Sequence, residues 1–277
     1  MTTIQSAEPN PVTGGALFYV RPEPLNAQAH AVMGLRRVDR PFQFTAKTQA
    51  VPVTVGEFVP AALSFPIIFA GENYQPLVVL GLQADTNMFL QENGYFEAGV
   101  YVPAYIRRYP FVLASDAARE TMVVCVDMAA SMIGDLPDVP FFDAAGQATE
   151  YTKNSIQFCN DYEVEVRRTQ TFVTMLRELD LFETRKAQHT PTQPDGSLGP
   201  PQDMAEFWAV SEEKVRALPD AKLRELMDNG AIRAIYAHIN SLAGWDKLIG
   251  IALTRAAVAA APAPPEPPAA AARRSKG

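Results

Sequence analysis

Three stretches of this chain carry residues whose types and spacing can do chemistry. The densest is Tyr101-Val-Pro-Ala-Tyr105-Ile-Arg107-Arg108-Tyr109-Pro110-Phe111. A guanidinium binds carboxylate or phosphate through a planar fork of donors, and flanking aromatic rings add stacking surface. In an extended segment Arg107 and Arg108 point to opposite faces, one inward and one to solvent. With Tyr105 and Tyr109 they form a candidate receptor for an anionic or aromatic guest. The alternative is a structural arginine paired with an internal Asp or Glu. The second stretch, Gly81-Leu-Gln-Ala-Asp85-Thr-Asn87, follows a run of strand-like residues. Asp85 and Asn87 can bind a polar ligand there, or close an Asx-turn. The third is His238-Ile-Asn240-Ser241. His238 is either a base or a buried, hydrogen-bonded histidine.

Sequence-contiguous catalytic signatures are absent. There is no GxSxG elbow, no HExxH, no phosphate-binding glycine loop and no GxGxxG. His30, His189 and His238 have no metal-ligand spacing, and Cys125 and Cys159 form no CxxC pair. The expectation is therefore no metal and no cofactor. An enzyme remains open only as a non-sequential site, assembled from Asp85, Asn87, Arg107 and His238.

The elements that must position these residues divide the 277-residue chain. Residues 1–40, with Pro9, Pro11, Pro22, Pro24 and Gly14-Gly15, read as an irregular arm. Residues 41–255 read as one α+β domain, with a mixed or antiparallel sheet in its first half packed by helices of its second. Expected strands are Phe42–Ala46, Val51–Val55, Ile67–Ala70, Leu77–Leu82, Gly99–Tyr105 and Met122–Asp127. Pro52 consigns its strand to a sheet edge, and a short helix over Glu57–Leu63 stops before Pro66. Residues 160–255 are expected to be helical. Asn160 serves as one N-cap and Ser211 as another, Asp220 opens a further helix, and Asn229-Gly230 closes it. Tyr162, Val166 and Val173 share a helical face. Residues 256–277, almost wholly Ala and Pro before a basic end, read as a disordered tail.

Net charge is -7, which speaks against general nucleic-acid binding. The Met122–Ile133 apolar run is broken by Asp127 and too short to cross a bilayer. With no apolar leader in Met1–Pro9, the expected location is cytoplasmic.

Four segments together resemble one family. They are Glu57-Phe58 through Phe65-Pro-Ile-Ile-Phe69; Val79-Leu-Gly-Leu82 with Asn87-Met-Phe89; Tyr101 through Phe111; and Ile235-Tyr-Ala-His-Ile-Asn-Ser-Leu242. The pattern is similar to the bacterial SapC family over about residues 25 to 250, with a departure at Ile133–Phe142. The resemblance implies a link to surface-layer, export or nutrient-uptake loci. It also implies an accessory role beside flavin halogenase-like or cupin-type enzymes and TonB-dependent receptors. It assigns no catalytic residue. The favoured expectation is a non-catalytic binding or accessory protein, with a protein partner or a small anionic or aromatic ligand. A surface-layer structural protein is a further alternative.

Overall fold

Alternating and continuous apolar runs build the sheets, and the polar residues between them supply the turns. The computed structural model describes residues 17–116, 121–190, 199–200 and 202–260. The first sixteen residues of the expected arm, and the expected tail beyond residue 260, lie outside these. Along the chain run β1 (Pro22–Pro24), β2 (Gly34–Leu35), β3 (Ala50–Pro52), α1 (Phe58–Ala62), β4 (Ile67–Ala70) and β5 (Gln75–Val79). Then come α2 (Ala104–Arg107), β6 (Phe111–Asp116), β7 (Thr121–Asp127), β8 (Ile133–Gly134), β9 (Val139–Pro140) and α3 (Glu150–Glu178). The last part holds β10 (Phe182–His189), β11 (Gln202–Val210), α4 (Glu212–Arg216), α5 (Asp220–Asp228), α6 (Ala231–Ser241) and α7 (Gly244–Ala260).

The fold is α+β. Three antiparallel sheets have the strand orders β10-β11-β4-β5-β3, β1-β7-β6 and β8-β2-β9. As Pro52 requires, β3 is an edge strand. Ile67, Ile68, Phe69, Val78 and Val79 are fully buried, because helices cover the face of β4 and β5 that a two-sided sheet would leave wet. One apolar cluster runs from Val51 through Phe69, Phe172 and Phe207 to Ile249. A second gathers Phe111, Val126, Ile133 and Phe141 under the smaller sheets.

Several expected elements differ. Phe42–Ala46 is a 3-10 turn, not a strand: the Thr45 hydroxyl donates to the Phe42 carbonyl at 2.8 Å and closes it. Of the expected strand Gly99–Tyr105, the first part is loop and Ala104-Tyr105 open α2, so the extended geometry assumed for the two arginines does not hold. The long helix α3 starts at Glu150, not beside Asn160. Its N-cap is Thr149, whose hydroxyl accepts from Thr152 N–H at 3.4 Å. Residues 160–255 are not wholly helical either. The β10–β11 hairpin interrupts them and joins the sheet of the first half. In β11 the buried Ala205, Phe207 and Ala209 alternate with Glu206 and Trp208, a period of two that the charged neighbours hide. The expected arm supplies β1 and β2. Residues 256–260, assigned to the tail, continue α7.

The buried Asp127 fastens that arm. Its carboxylate accepts from Arg21 N–H at 2.8 Å, Ala129 N–H at 3.1 Å, Val20 N–H at 3.2 Å and the Tyr109 hydroxyl at 3.2 Å. Among the described residues, no helix is long and apolar enough to cross a membrane.

Candidate functional site

Glu57 organises the arginine-rich stretch. It lies just before α1 and is buried. One oxygen accepts from Thr54 N–H at 3.0 Å and the Thr54 hydroxyl at 2.8 Å. The other accepts from the Tyr101 hydroxyl at 2.9 Å and from Ala104 N–H, the first free donor of α2, at 2.6 Å. A carboxylate at a helix start satisfies an orphan donor. Burial first, then Glu57, pushes the Tyr101 phenol up to about 12.

Arg107 closes α2 and is exposed. Its Nε donates to the Val102 carbonyl at 2.9 Å and its Nη2 to the Tyr101 hydroxyl at 3.2 Å. One phenol thus relays it to Glu57. Its guanidinium also lies 5.2 Å from the Phe158 ring centre. Arg108, the C-cap residue, turns inward. It lies 4.3 Å from the Tyr105 ring centre, 4.6 Å from that of Tyr162 and 5.7 Å from that of Tyr19. Among the described residues no carboxylate comes within ion-pair distance of it, and its buried Nε has no acceptor. Tyr105 donates its hydroxyl to the Leu17 carbonyl at 3.2 Å. Tyr109 stacks on Phe44 with ring centres 4.1 Å apart. Burial pushes the neighbouring Cys159 thiol up to about 11, against the opposing field of Arg108, so it is not a thiolate near neutrality.

The remaining expected site residues lie elsewhere. Asp85 sits exposed in the β5–α2 connection with a left-handed φ of 56°. Asn87 is buried and forms an Asx-turn, accepting from Phe89 N–H at 2.9 Å. Its amide also donates to the Thr45 hydroxyl at 3.2 Å and carbonyl at 3.3 Å. His238 is fully buried on α6. Its ring meets Phe69 edge-on, and Nε2 accepts from Val210 N–H at 3.0 Å. Burial pushes its pKa down to about 3, so it is neutral near pH 7. Asp85, Asn87, Arg107 and His238 share no hydrogen-bonding partner. Among the described residues, no three His, Cys, Asp or Glu gather where they could hold a metal ion.

A groove that the sequence reading did not single out lies between α3 and the sheet edge, with a volume of about 390 Å³. Tyr162, Val166, Gln170, Val173, Thr174 and Arg177 line it from the helix. Pro52–Thr54 and the β4–β5 turn line it opposite, the turn contributing Glu72, Asn73, Tyr74 and Gln75. Tyr74 has a left-handed φ of 51°, a conformation rare for an aromatic residue. It lays the ring on Phe182, ring centres 4.5 Å apart, and Trp208, 5.1 Å apart. The Arg177 guanidinium covers Tyr74 at 5.3 Å from its ring centre. Tyr162 belongs to both places, touching Arg108 and lining the groove. The i, i+4 spacing of Tyr162, Val166, Gln170 and Thr174 was the available signal, but it is shared by any helix face.

An antiparallel-sheet α+β body with an aromatic arginine cage and a side groove defines the class of protein. The chain matches the SapC family over residues 25–248 and belongs to it. No curated protein and no solved structure matches it.

Proposed function

We propose that this SapC-family chain is a non-catalytic binding protein that receives a ligand in the groove between α3 and the β4–β5 turn. The observation that supports this best is what lines the groove. It offers ring faces, side-chain amides, hydroxyls, one cation and one carboxylate, but no histidine, cysteine, lysine or aspartate. A concave, mostly preformed site with a few convergent polar groups suits binding. Proton transfer or nucleophilic attack needs a nucleophile beside a base, and the lining offers no such pair. The cage of Tyr19, Tyr105, Tyr162 and Arg108 supports the same reading, because Arg108 packs on Tyr162, which also lines the groove.

In this reading the protein is an accessory component in the cytoplasm. It serves a surface-layer, export or nutrient-uptake system, or a neighbouring flavin- or cupin-type enzyme. Arg107, exposed beside Phe158, marks the face offered to a protein partner.

A melting-temperature screen against a metabolite panel tests the groove. At least one compound should raise the transition, and Thr174→Trp, which fills the groove from an exposed helix position, should abolish the rise. The reading is overturned by a flat panel together with a lysate pull-down that recovers no partner sensitive to Arg107→Glu.

A further inference from the structure

We infer that the groove takes an elongated monocarboxylate, its acid group held by Arg177 above Tyr74 and its apolar body running toward Tyr162. This rests on the binding reading above and specifies its ligand.

The lining residues of α3 set the shape. Tyr162 and Arg177 stand about 22 Å apart along the helix at ~1.5 Å per residue. A volume of 390 Å³ spread along that stripe suits a narrow, extended molecule. Pro52, Val53, Val166, Val173 and Pro76 give its middle an apolar wall.

The ends set the chemistry. Among the described residues Arg177 forms no ion pair, and its guanidinium donates to no protein acceptor. Arg177 is exposed, and its guanidinium lies over Tyr74, 5.3 Å from a ring that itself packs on Phe182 and Trp208. A guanidinium placed over a ring, with its donors open, can meet a carboxylate bidentately. At the far end the mostly buried ring of Tyr162 closes the groove. Glu72, exposed in the turn, adds a negative charge near the mouth. That charge disfavours a dianion and leaves a single carboxylate as the fitting anion.

The test is calorimetric titration of the full chain with ω-phenylalkanoates of increasing chain length, their primary amides and the matching amines. The acids should bind, tightening about threefold to fourfold per methylene until the groove is filled. Each amide should bind about tenfold to a hundredfold more weakly than its acid, the range of one charge-assisted contact. Arg177→Gln should lower acid affinity to that of the amide and leave amide affinity unchanged. Equal binding of acid and amide, or equal losses for both in Arg177→Gln, overturns the carboxylate assignment. So does tighter binding of the amine that Glu72→Gln removes. If no probe binds while the metabolite panel still gives a rise that Thr174→Trp abolishes, the carboxylate is wrong and the binding reading stands. If both are flat and the pull-down recovers no partner sensitive to Arg107→Glu, both fall.

Discussion

Replacing Glu57 by glutamine should destabilise the protein far more than a change of one atom suggests. All four partners of this carboxylate are donors: Thr54 N–H, the Thr54 hydroxyl, the Tyr101 hydroxyl and Ala104 N–H. Glutamine keeps one oxygen and puts an NH2 where the other was. Whichever way the amide turns, that NH2 faces one main-chain N–H and one hydroxyl. The hydroxyl can rotate and accept, but the N–H cannot. One buried N–H is therefore left without an acceptor, at about 1–3 kcal/mol, and the two surviving bonds lose their charge assistance. The expected loss is about 3 kcal/mol, or roughly 6–12 °C in melting temperature for a chain of this size. Urea unfolding, with midpoint and slope fitted separately, measures it. A loss below about 1 kcal/mol at unchanged slope would refute the claim that this carboxylate fixes the start of α2 and, through Tyr101, Arg107.

Other consequences follow from the same contacts. Asp127→Asn places an NH2 among the donors of Val20, Arg21, Ala129 and Tyr109; it should cost about 2 kcal/mol and speed hydrogen exchange at Arg21 and Ala129 before the rest of the sheet. Arg108→Lys exchanges a flat guanidinium among three phenol rings for a compact ammonium, and urea unfolding should show a loss of about 1–2 kcal/mol. His238 has a folded pKa near 3, depressed by burial below its unfolded value. Its stabilising contribution is thus complete above the unfolded pKa and fades as pH falls toward 3. Stability should drop by about 2 kcal/mol between pH 7 and pH 5 from this group alone, and His238→Gln, which can still accept from Val210 N–H, should flatten that slope in urea titrations.

What the sequence disclosed tracks how local each signal is. Ile67–Ala70, the short helix before Pro66, the Ser211 and Asp220 starts and the Asn229-Gly230 stop depend on neighbours in sequence. The structure places them within a residue or two of expectation. The edge position of β3 was legible because proline lacks a donor. The β10–β11 hairpin was hidden because charges punctuate both of its faces: Glu183 and Arg185 lie opposite Ala209 and Phe207, Lys186 lies opposite Glu206, and the run resembles a solvated helix. Phe42–Ala46 looked like a strand because aromatic residues favour strands, yet Phe42 and Phe44 pack on Phe96 and Tyr109, and one threonine hydroxyl closes the turn. The groove was invisible for a stronger reason. Its walls, α3 and the β4–β5 turn, are about a hundred residues apart in sequence, and only tertiary packing brings them together.

The hallmark stretch bears on how far an unusual motif identifies a site. Tyr101 donates to Glu57, Ala104 donates to Glu57, Tyr105 donates to Leu17 and Tyr109 donates to Asp127. Arg107 is engaged with Val102 and Tyr101, and Arg108 is packed among phenols. The segment thus ties α2 to the loop before α1, to the arm and to α3, and most of its polar groups already have partners. A composition this particular follows from many simultaneous internal contacts, each of which restricts one position. Ligand recognition asks for the opposite, polar groups oriented but left open. Arg177 meets that condition on an otherwise ordinary helix. Tyr162 joins the two places: Arg108 packs on its ring, and the same residue lines the groove.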